Sequence, residues 1–136
     1  MIGSILAAAF MMAAPPAEEV TVDVGRADWA TLPQLKTAGR PLPTPMMVAK
    51  VEEMLASKAC RLKGQSPARF DIDVPYAVLV KPDGSSNNVI VAETGCPQLE
   101  SFVGMVVLEL AREGEFRPSA DQRPRWLASS INFNLE

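Results

Sequence analysis

At 136 residues, 48% of them hydrophobic, the chain is sized for one domain with a real core rather than two. Its net charge of −3 and the lack of a Lys/Arg cluster argue against nucleic acid, whose phosphates call for a basic patch. Histidine is absent, which excludes Ser-His-Asp and Cys-His nucleophiles, the commonest zinc ligand and the ordinary general base near neutral pH.

In chain order, Met1 to Ala14 carries no charged side chain and is nearly all apolar. It is too short for a membrane span, which needs roughly 20 residues. It suits the apolar core of a signal peptide over residues 1–17, with a short uncleaved anchor or a buried helix end as the alternatives. Export is therefore expected. Residues 18–45 read as an extended, proline-containing segment. Within it Val20 to Val24 alternates as a short strand, Trp29, Leu32 and Leu35 pin the chain to the core, and Pro41, Pro43 and Pro45 stiffen the exit.

Thr44-Pro45 predicts a helix start, with threonine as N-cap and proline at the first helical position. Met47, Val51, Met54/Leu55 and Ala59 form its apolar stripe. Glu52 and Glu53 lie early, Lys58, Arg61 and Lys63 late, and Gly64 closes it. Met46, Met47 and Met54 suit either a core-facing stripe or an adaptable binding surface. Phe70, Ile72 and Val74 alternate with Asp71, Asp73 and Pro75, which predicts a strand beginning or an edge, because proline donates no ladder hydrogen bond. The spacing of Asp71 and Asp73 would suit a cation, but the rest of a calcium loop is missing, so they read as solvated surface.

Tyr76 to Lys81 and Val89 to Ala92 are apolar runs joined through Pro82-Asp83-Gly84-Ser85, a hairpin. Leu99, Val103, Val106, Val107, Leu110 and Ala111 recur at helical spacing, and Leu127, Ile131, Phe133 and Leu135 return to even separations. The fold class is thus α+β: a two-layer β-β-α-β domain over residues 46–136. Its three-stranded antiparallel sheet has the order 2-1-3, and one amphipathic helix precedes it. Cys60 and Cys96, an even pair in an exported chain, are expected to form a disulfide.

The run Val78-Leu79-Val80-Lys81-Pro82-Asp83-Gly84-Ser85, then Val89 to Glu100, then Phe116-Arg117-Pro118, then Ile131-Asn132-Phe133-Asn134-Leu135, resembles the C-terminal domain of the TonB family. That likeness covers Tyr76 to Leu135. It implies capture of a short peptide of an outer-membrane receptor by strand addition at the last strand, whose outward positions are Trp126, Ala128, Ser130, Asn132 and Asn134. Met1 to Ala14 cannot span a bilayer, and the roughly thirty residues from Pro15 to Pro45 reach about 100 Å at most. The resemblance therefore implies a fold and a mode of binding rather than force transmission. Three alternatives stay open: self-pairing of two such edges into a homodimer, a structural envelope protein, and a catalytic or small-ligand domain using carboxylates such as Asp71, Asp73 or Glu93. No cofactor is expected.

Overall fold

A computed structural model describes residues 20–37, 39, 41–118 and 122–136, so the export segment expected at 1–17 lies outside the described residues. The elements are β1 (Thr21–Gly25), α1 (Pro45–Ala56), β2 (Phe70–Val80), β3 (Asn88–Ala92), α2 (Pro97–Arg112) and β4 (Arg125–Leu135). The class is α+β. The sheet, however, is four-stranded and mixed, in the order β1-β3-β2-β4, where three antiparallel strands were expected. The three C-terminal strands do pair antiparallel as β3-β2-β4. β1 is the addition, parallel to β3 from Thr21↔Asn88 to Gly25↔Ala92. A notch in α2 seats it: a Cβ on Gly104 would stand 2.3 Å from Val22 Cγ1, so only glycine lets this strand lie under the helix.

β2 also departs from expectation, because Phe70 to Val80 is one strand that runs straight through Pro75. Backbone alternation explains how. Ala77 lies opposite Ala128, whose own N–H and C=O are engaged on the far side by Pro33 and Leu35. Odd-numbered β2 residues therefore turn their backbone groups toward β3. Pairing with β3 runs from Tyr76 to Val78, so Pro75 stands one residue beyond the paired stretch and its missing N–H interrupts no bond of that ladder. Further back, the Gln65 side chain stands in for the missing strand, accepting from the Asp71 N–H at 2.9 Å and donating to its carbonyl at 3.2 Å.

Even-numbered β2 residues face the helices with Ile131 and Phe133 of β4. They pack against Leu99, Val103 and Val107 of α2 and Val51, Met54 and Leu55 of α1. Ala77 and Ala128 point to the opposite face and are still only 1% and 2% exposed, so that face is covered at its middle. Residues 26–35 lead from the β1 margin to the β4 margin and carry the part-buried Trp29 and Leu32; this is the described stretch placed to supply the cover.

α1 begins as predicted, with the Thr44 hydroxyl accepting from the Met47 N–H at 3.3 Å. It ends at Ala56 rather than near Gly64. Ser57 turns to extended backbone, donates its N–H to the Met54 carbonyl and accepts from the Ala59 N–H, which stops the helix. The expected dipole complementarity is lost with it, since neither terminal turn holds a matching charge. Cys60 lies past the helix, and the expected bridge to Cys96 forms, Sγ–Sγ 2.07 Å, with Cys96 as N-cap of α2. One turn into α2, the buried Glu100 carboxylate accepts from the Thr94 N–H, the Thr94 hydroxyl at 2.9 Å and the Gly95 N–H at 3.2 Å. That fixes the loop carrying the cysteine.

The hairpin turn is locked twice. Asp83 accepts from the Ser85 hydroxyl at 2.6 Å and from its N–H at 2.9 Å, contacts that hold this exposed carboxyl below its usual range. Gly84 has φ +86, and a Cβ there would sit 3.0 Å from the Phe116 carbonyl oxygen. Gly84→Ala is expected to lower stability by about 1–3 kcal/mol, read as a lower urea midpoint at unchanged slope.

Burial pushes the Tyr76 phenol above its ordinary value, against a smaller opposing effect of Ser129. The fold thus favours the neutral form. This contribution is intact below pH about 10 and disappears as pH rises through the higher folded value. The chain has one tyrosine. Absorbance at the phenolate band therefore reports Tyr76 alone, and we expect it to titrate above the free value and together with loss of structure. A free-tyrosine curve in folded protein would contradict this.

Candidate binding margin

β4 pairs with β2 along its whole length, from Phe70↔Leu135 to Val80↔Arg125, and its other side is the margin of the sheet. Because Ala128 directs its backbone groups outward, so do its even-numbered neighbours on the strand. The five expected positions then divide. Ala128 is not available: its N–H donates to the Pro33 carbonyl and its carbonyl accepts from the Leu35 N–H, both at 2.8 Å. Gln34 forms a parallel bridge there, and the Ala128 side chain is buried. Trp126 lies beside this covered half and is partly buried.

Ser130, Asn132 and Asn134 are exposed, and among the described residues nothing bonds to their outward backbone groups. They leave a run of margin about the length of a short strand. On the helix-free face, Asp73 lies opposite Asn132 and Asp71 opposite Asn134. The Asn132 amide donates to Asp71 Oδ1 at 2.8 Å. Asp71 and Asp73, read from sequence as solvated surface, are exposed and in addition flank this margin. Glu93 follows β3, on the side of β2 away from β4.

Pro33-Gln34-Leu35 was the missed component. In the sequence Leu35 reads as a residue pinned to the core with no pairing partner, because the spacing around it is irregular. A single bridge leaves no periodic trace.

Other surfaces are less built. The methionine stripe splits, with Met54 buried, Met47 intermediate and Met46 84% exposed. Met46 and Met47 line an open groove of about 520 Å³ between α1 and α2, with Phe102, Val106 and Leu110. Among the described residues no group of His, Cys, Asp and Glu could hold a metal ion. No helix among them is long and apolar enough to cross a membrane.

Comparison of the chain with protein-family models, with curated proteins and with solved structures finds no match.

Proposed function

We propose that the protein is an exported, periplasmic binding module of the TonB C-terminal type, non-enzymatic, that takes up an extended peptide or partner segment by strand addition on the outer side of β4. The observation that carries this reading is the stretch Ser130 to Asn134, where outward N–H and C=O groups at the sheet margin have no partner among the described residues. The same margin already accepts one strand-like segment, Pro33 to Leu35, at Ala128. Main-chain pairing of this kind supplies affinity, and the alternating side chains supply selectivity. The apolar start of the chain supports export, and the Cys60–Cys96 bond is of the kind that persists in an oxidising compartment. An outer-membrane receptor segment is the partner this reading favours.

Titrating such a receptor peptide by calorimetry tests the reading. Ser130→Pro removes one outward N–H while leaving the β2 ladder alone, and it is expected to weaken binding at least about tenfold, the equivalent of a lost hydrogen bond plus a steric block. Unchanged affinity in a folded Ser130→Pro variant would overturn strand addition at this edge.

A further inference from the structure

We infer that the strand accepted at Ser130 to Asn134 is cationic, carrying lysine or arginine at the alternate positions that point to the helix-free face of the sheet. This rests on strand addition at β4 and adds the chemistry of the guest. The face a guest would extend is set by the register: Asn132 and Asn134 form its outer column and Asp73 and Asp71 the next one in. Both carboxylates are exposed, and among the described residues the one side-chain donor to either is the neutral Asn132 amide. Arg69 and Glu136, one position beyond the Phe70–Leu135 pair, carry opposite charges and cancel. Over Arg69, Asp71, Asp73 and Glu136 this end of the face thus keeps a formal net charge of −2.

A guest residue opposite Asn132 or Asn134 lies two strand spacings from β2, about 10 Å. The long stem of lysine or arginine crosses the short asparagine and brings its charge to the carboxylates, whereas aspartate or glutamate at that place meets like charge. Ser130, Asn132 and Asn134 add no charge of their own. Polarity at this end of the face also excludes an apolar ladder on that side of the guest. The guest's other side chains alternate toward the helix layer, where Ile131 and Phe133 lie, and are free to be apolar.

Two fluorescent peptides test this against the full chain, one alternating valine with lysine and the other valine with glutamate. At low salt the lysine peptide is expected to bind about tenfold more tightly, and the difference should shrink in high salt as screening sets in. The Asp71→Asn/Asp73→Asn double variant, which keeps the side-chain shape, should bring the two affinities together. Protection of the Ser130, Asn132 and Asn134 amides from hydrogen exchange by the lysine peptide locates the complex without any variant. Equal affinities for both peptides, with those amides protected, would overturn the charge preference and leave strand addition standing. Lysine-peptide binding that leaves those amides unprotected would overturn the proposal as surface attraction alone. No binding of either peptide would overturn both.

Discussion

Reducing the Cys60–Cys96 bond is expected to lower the stability of the domain by about 3–4 kcal/mol, which in a domain of this size moves the melting temperature down by about 10–20 °C. The bond closes a loop of sequence separation 36, and its main effect is to deny extended conformations to the denatured chain. The native contacts around it do not depend on it alone. Glu100 holds Thr94 and Gly95 through their amides, and Leu99 donates its N–H to the Cys96 sulfur at 3.4 Å, so the loop keeps its partners when the bond is opened. The reduced protein should therefore remain folded at room temperature while its denaturant midpoint falls. Guanidinium titrations with and without reductant, alongside a Cys60→Ala/Cys96→Ala variant insensitive to reductant, measure the difference. A change below about 1 kcal/mol would mean that the denatured chain is already confined in this region. In a reducing compartment the same protein would lack this margin.

The C-terminal half was legible because its signals are local and mutually consistent. Pro82-Asp83-Gly84-Ser85 has turn chemistry that only a hairpin satisfies, and Leu99, Val103, Val107 and Leu110 repeat at a period that only a helix buries. What stayed hidden depends on distant partners. Nothing in Val20 to Val24 says that it will lie beside β3, since its seat is the missing side chain of Gly104, far along the chain. Pro75 reads as the mark of a strand beginning or an edge until tertiary pairing places it inside β2, one residue beyond the stretch that β3 pairs. The helix end at Ser57 was obscured because Lys58 and Arg61 continue the charge pattern past the residue whose hydroxyl ends the helix. The candidate margin was half legible for the same reason. The alternation of 125–135 separates buried Ile131 and Phe133 from exposed Ser130, Asn132 and Asn134, but only tertiary structure reveals Pro33 to Leu35 sitting on Ala128.

Phe133→Ala is expected to lower stability by about 3–5 kcal/mol, and Asn132→Ala by no more than about 1.5 kcal/mol. The two residues are neighbours in sequence and opposites in environment. Phe133 is 0% exposed, lies opposite Ile72 and has its ring centroid 6.3 Å from that of Phe102 on α2, so truncation leaves a cavity between sheet and helix. Asn132 is exposed and gives up one hydrogen bond, to Asp71, that water replaces. Because side chains alternate strictly along a strand, a shift of one residue in the β2–β4 pairing would exchange these environments and reverse the two results. Urea denaturation of both variants thus measures the register on which the binding margin depends. Similar losses for the two would mean that β4 is not held in this register, and the outward placement of the Ser130, Asn132 and Asn134 backbone groups would fall with it. A large loss confined to Phe133 fixes Asn132 on the open face and leaves the margin free to receive a strand.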